Sequence, residues 1–140
     1  MEFSEQSIAG WQHACERGEW TSVKLCEEHL RRIEDLDQAG PALRSVIEVN
    51  PDALEIAAAL DGERQIEGPR SPLHGLPVMV KDSIDTADQM MTTGGSLALE
   101  GNFASSDAGV VLRLREAGAV ILAKTNMSEW GYMRSARACS

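Results

Sequence analysis

Ile8, Trp11 and Cys15 stand three and four residues apart and Gly18 follows them, a spacing that predicts a helix closed by a glycine C-cap. Thr21 or Ser22 can cap a second helix, in which Val23, Cys26, Leu30 and Ile33 form one apolar stripe. Glu27, Glu28, Arg31 and Arg32 fall mostly outside that stripe, and Gly40-Pro41 breaks the pattern. The two segments read as an antiparallel helical pair at the edge of a domain. From there the period shortens. Residues 43–49, LRSVIEV, have the β-branched look of a strand. Asn50-Pro51 then sets a capping residue before a proline, opening a helix that carries Leu54, Ala57 and Ala58 with Asp61 on its boundary. The turn-rich residues 67–72 connect this helix to the next apolar run and are too short for an interdomain linker.

Residues 76–80 and 119–123 are apolar runs of the kind found in buried parallel strands. Between them Asp107 is placed to cap a helix bearing Val111, Leu114 and Ala117, with Gly118 at its close. Strand, helix and strand make a βαβ unit, for which a right-handed connection is expected. The fold class is therefore α/β, with a sheet that requires helices on both faces.

A chain of 140 residues is about one domain, and its 43% apolar and 25% charged residues are those of a globular protein. The net charge of −9, with basic residues dispersed, argues against nucleic acid and anionic membrane as partners. No apolar run approaches a membrane span and no basic-then-apolar leader is seen, so a cytoplasmic location is expected. Cys15, Cys26 and Cys139 lack C-x-x-C spacing and read as buried thiols in a reducing compartment. Cys26 and His29 have ligand spacing without a partner pair, so no metal is expected. Asn126 with Glu129 three residues on reads as a capping-box variant rather than a glycosylation acceptor.

Functional groups of open α/β sheets gather beyond the carboxyl ends of strands, where Lys81 and Lys124 both stand. Five segments then occur in one order: PLHGLPV from Pro72, VKD at 80–82, MTTGGS at 91–96, AVILAKTN at 119–126, and Ser128-Glu129-Trp130. Together they resemble the amidase signature family. The resemblance implies an α/β/α sandwich and hydrolysis of carboxamides by a serine nucleophile, a second serine and a lysine, the lysine being Lys81. It places both serines downstream, in glycine- and serine-rich segments that these 140 residues stop short of reaching. On that basis the chain is the N-terminal part of an amidase: one incomplete domain, with residues 1–40 as the helical pair and 41–140 as the start of the α/β core. Inactivity of the isolated chain is the expectation, and whether it is itself an enzyme is left open. The alternatives are a non-catalytic remnant or a partner-binding α/β module. An anion-binding module built on Gly94-Gly95-Ser96 lacks both G-x-G-x-x-G and a P-loop.

The implied mechanism needs a neutral lysine, and lowering an ordinary lysine by about three pKa units costs its charged form about 4 kcal/mol. Burial beside Val78 and Val80 is expected to push Lys81 that way. Neighbours on a strand face opposite sides, so Asp82 should turn away and bond backbone N–H groups of the loop after the strand. Lys124 is left as a structural cation or ion-pair partner. Met91 to Ser96 are assigned to shaping the crevice, with Met91, Gly94 and Gly95 as the substrate contacts, and neither Ser96 nor Ser140 is taken as the nucleophile. Met90 and Met91 could line an apolar pocket or fill gaps. His13 and His29 belong to helices, His74 to a turn where it can serve the backbone, and no triad forms around any of them. No cofactor is implied. The expected partners are a small-molecule amide for the full-length parent and, because a partial sheet leaves apolar faces and open edges, further copies of the chain.

Overall fold

A computed structural model describes residues 6–131. In order these form α1 (Ile8–Glu16), α2 (Ser22–Arg32) running on into a π-helical turn (Ile33–Gln38), β1 (Val46–Val49), α3 (Ala53–Ile66), β2 (Pro77–Lys81), α4 (Gly109–Glu116) and β3 (Val120–Thr125). Short 3-10 turns lie at Leu97–Leu99 and Glu129–Gly131. The strand order is β1-β3-β2. β3 runs parallel to β2, with Pro77 opposite Val120 and Lys81 opposite Thr125, and antiparallel to β1. The strand–helix–strand unit read from the sequence is thus a pair of neighbours in a small mixed sheet.

The central position of β3 follows from its composition. Val120 to Lys124 are all buried, which only a strand hydrogen-bonded on both sides and covered on both faces permits. Val120 and Leu122 pack with Cys26 of α2 and Ala53, Ala57 and Leu60 of α3. Ile121, between them and on the opposite face, packs with Val80, Met90 and Val111 of α4. A third cluster, Cys15, Leu25 and Leu76, joins α1 to α2 and to the start of β2, with Trp11 and Trp20 edge to face at 5.3 Å beside it.

Helix α2 starts as expected, with Thr21 Oγ1 accepting from the Lys24 N–H at 3.1 Å. Its first turn also receives a carboxylate from α3: Asp61 accepts from Ser22 N at 2.7 Å and Val23 N at 3.1 Å, where the helix presents unsatisfied donors and positive potential. Four local expectations are corrected. β1 begins at Val46 rather than Leu43, because Ala42 and Arg44 take positive φ and the buried Asp37 carboxylate draws in Ser45 N and Val46 N. α3 begins at Ala53, since Asn50 spends its side chain on Asp52 N and Ile121 O. Its inward face is Ala53, Ala57 and Leu60, so Leu54 and Ala58 point outward. Asp107 is no cap for α4; Ala108 holds that position, while the Asp107 carboxylate accepts from Ala87 N and Arg115. Asn126 and Glu129 form no capping box, because Asn126 Oδ1 accepts from the adjacent Met127 N–H and Glu129 reaches across to Ser96.

The turn before β2 is held by His74, whose ring is fully buried, with Nε2 donating to Leu60 O at 3.0 Å and Nδ1 accepting from Arg70 N at 3.2 Å. Both ring nitrogens thus serve the backbone in one neutral tautomer. Gly118, at φ 83°, packs so close to this ring that a Cβ would lie 2.7 Å from Nδ1. Cys15 and Cys26 are buried, and burial pushes the Cys26 thiol up to about 12 and raises Cys15 also, which leaves both unreactive. Cys139 and Ser140 lie outside the described residues. Among those residues no helix is long and apolar enough to cross a membrane.

Candidate active site

Lys81 and Asp82 stand together at the carboxyl end of β2 and have opposite environments. Lys81 is exposed, against the expectation of burial beside Val78 and Val80: it ends an edge strand, and among the described residues it has no ion-pair partner. Asp82 is only 1% exposed. Its carboxylate accepts from Thr93 N at 3.2 Å, Gly95 N at 3.1 Å and the Thr93 hydroxyl, while its carbonyl oxygen accepts from Gly94 N at 3.2 Å. This turn away from Lys81 toward the loop amides is the one that the alternation of side chains along a strand predicts.

The amine withdrawn from water is Lys124. It is 0% exposed, on central β3, and its Nζ donates to Ile84 O at 2.8 Å and Thr92 Oγ1 at 2.9 Å. Lys124 therefore ties β3 to both arms of the loop that leaves Lys81. Its role is structural, through neutral acceptors, and no carboxylate reaches salt-bridge distance of it among the described residues. Burial lowers its pKa from 10.5, opposed by the charges of Asp82, Asp88, Asp85 and Glu48 in that order. The unfolded chain, with the ordinary value, then holds more protons than the fold at pH values just below 10.5, so this group makes stability rise with pH there. Urea unfolding across that window is expected to show this upward slope in the wild type and to lose it in Lys124→Met.

The loop closes over itself through two glycines. Gly95 has φ 69° and so little room that a Cβ would lie 2.6 Å from Met127 O; Gly94 has φ 60° and sits under the Trp130 ring, accepting from Trp130 N at 2.8 Å. Met91 and Gly95 line a cleft of about 540 Å³ with Ile47, Leu97 and Ala98. Of the three residues assigned as substrate contacts, Met91 and Gly95 line this cleft and Gly94 does not. Lys81 is not among the cleft's lining residues. Met90, the neighbour of Met91, is wholly buried in the α4 core. Two bonds of this loop escape a reading of the sequence alone: the Ser96 hydroxyl donates to Glu129 Oε1 at 2.6 Å, and Thr92 anchors Lys124. Partners 33 and 32 residues apart leave no local signal. No group of three metal-ligating side chains is present among the described residues.

The lysine and the aspartate-held glycine loop lie at the carboxyl end of a strand, where open α/β sheets gather their functional groups. The Amidase family model matches residues 24–139, and the chain belongs to that family. It is 51% identical to a probable amidase of Arabidopsis thaliana over 117 residues, 82% of this chain and 22% of that one. It is 44% identical to a putative amidase of Schizosaccharomyces pombe over 131 residues, covering 94% of this chain and 22% of the relative. The native peptide amidase of Stenotrophomonas maltophilia superposes with a TM-score of 0.90 at 48% identity, over 96% of this chain and 27% of that structure. The fold is accordingly that of amidase-signature enzymes, and the chain spans about a quarter of the length of these relatives.

Proposed function

We propose that this chain is the lysine-bearing segment of a cytoplasmic carboxamide hydrolase, with Lys81 as the base of a Ser-Ser-Lys relay. The observation that carries the reading is Lys81 at the end of β2, beside a loop fixed by Asp82, within a fold that matches a peptide amidase at TM-score 0.90. In the relay a neutral lysine takes a proton, through a second serine, from the nucleophilic serine. That oxygen attacks the amide carbon, the C–N bond breaks, the amine leaves with a proton, and water frees the acid from the acyl-enzyme. Both serines belong to segments outside the 140 residues.

Joining this chain to the remaining three quarters of the peptide amidase tests the assignment. The chimera is expected to release ammonia from a simple primary amide, and a folded but inactive chimera would overturn the amidase reading. The purified chain alone is expected to show no turnover, and turnover lost on Lys81→Ala would overturn its inactivity.

Association of the chain with itself is the second part of the reading. β1 and β2 are both edge strands, and Leu43, Ile66, Leu97 and Phe103 are exposed, Leu97 at 88%. Such edges and apolar side chains pair readily with further copies. Sizing chromatography is expected to show species larger than the monomer, and a concentration-independent monomer would contradict it.

A further inference from the structure

The two edges of the sheet differ in what their outward backbone meets. On β1 the outward groups of Val46 are taken by the π-helical turn, the N–H by Asp37 Oδ2 at 3.1 Å and the oxygen by Gln38 Nε2 at 3.4 Å. Side-chain cover of this kind blunts an edge against pairing. On β2, Leu76 O accepts from Val120 N and Asp82 N donates to Thr125 O, so Leu76, Val78, Val80 and Asp82 turn their backbone to β3. By the same alternation Pro77, Met79 and Lys81 turn theirs outward. Pro77 has no N–H, and Lys81 O already accepts from Ile84 N at 2.9 Å. The outward groups of Met79 meet no side chain or loop among the described residues. Its side chain is 45% exposed and lines an apolar groove with Pro77, Ile33 and Leu36.

We propose that β2 pairs antiparallel with β2 of a second copy about a twofold axis at Met79, giving a closed dimer with one continuous sheet. The occupant is a second copy because this edge is complementary to itself. Met79 and its counterpart exchange two backbone bonds, and each Lys81 N–H donates to the other copy's Pro77 O. The two places in that ladder that cannot be filled coincide: the N–H that Pro77 lacks would face Lys81 O, which Ile84 N already occupies. Charge selects the same alignment. Antiparallel pairing sets Lys81 across from Pro77 and holds the two lysines four residues apart along the strands, about 13 Å and beyond the Debye length of about 8 Å; parallel pairing would put them side by side. The two Met79 side chains then meet on one face, where they join the two grooves and lose their exposure to water. The inference rests on the reading that the chain associates with itself and names the surface through which it does so.

Sedimentation equilibrium of the purified chain is expected to fit a monomer–dimer equilibrium without larger species, with a Kd of about 100 μM, as suits an edge contact of modest area. Met79→Pro deletes the central donors and spares the bonds to β3, because an outward N–H is the one that proline can replace on an edge strand. It is expected to raise Kd at least tenfold. Met79→Lys keeps the backbone and sets two ammonium groups directly opposite, with the same expected effect, and it keeps the test alive should the proline disturb the strand. Ile47→Lys, on β1, is expected to leave Kd unchanged. Amide exchange at Met79 and Lys81 is expected to slow as concentration rises. A wild type that stays monomeric at every concentration would sink the association reading itself. Association that Met79→Lys leaves unchanged, that Ile47→Lys weakens instead, or that runs on past the dimer would overturn the β2 assignment alone. Protection of the Met79 amide that is the same at all concentrations would put a segment of the same chain on this edge, and would overturn the assignment equally.

Discussion

In the chimera with the peptide amidase, Lys81→Ala is expected to lower kcat by about 10²- to 10⁴-fold, the usual contribution of a positioned general base, with KM changed much less. Lys81 ends β2 opposite Thr125, at the carboxyl edge where the loop bonded to Asp82 departs. In the proposed relay this side chain would move a proton and contribute little to binding the amide, hence the split between kcat and KM. The pH profile gives the readout that a structural role would not move: the acid limb of kcat/KM, set by protonation of the base, should vanish in Lys81→Ala. Lys81→Arg should be equally inactive, because a guanidinium stays protonated at any working pH. A loss below tenfold, with the acid limb intact, would assign the base to another residue.

What could be read from the sequence was what depends on spacing along the chain. The stripe of Val23, Cys26, Leu30 and Ile33 faces the core because four residues at helical spacing have one way to be buried. The run from Val120 to Ala123 lies at the sheet centre because a strand apolar on both faces has nowhere else to go. Asp82 could be placed by the alternation of neighbours along β2. What could not be read depends on distant partners. Lys81 and Lys124 occupy equivalent strand ends in the sequence, yet strand order decides their fates: β2 is an edge and β3 is the centre. The bond from Ser96 to Glu129, and that from Lys124 to Thr92, exist only once the loop has folded back over β3. The start of β1 departs from the strand pattern for a more local reason: Asp37, eight and nine residues away, accepts from Ser45 N and Val46 N, which no strand propensity encodes.

Asp82→Ala is expected to destabilise the fold by about 4 kcal/mol or more, as the sum of two or three hydrogen bonds to a buried charge. The substitution removes one acceptor group and strands several donors: Thr93 N, Gly95 N and the Thr93 hydroxyl lose their partner inside a segment that water enters poorly. It also removes the carboxylate that most favours the buried Lys124 ammonium, so the charged form of that lysine becomes harder to keep in the fold. Asp82→Asn retains one carbonyl oxygen but turns an NH₂ toward backbone donors, and should cost about half as much. Urea unfolding gives the free energies, and amide exchange at Gly95 reports whether the loss begins in the loop. The field of Asp82 on Lys124 adds a second, separable test. In a double-mutant cycle the cost of Asp82→Asn should fall by about 1 kcal/mol when Lys124 is already methionine, because the charge that Asp82 compensates is then gone. A cost below about 1 kcal/mol for Asp82→Ala would mean that the loop amides find other acceptors, and that the segment leaving Lys81 is fixed by Lys124 alone.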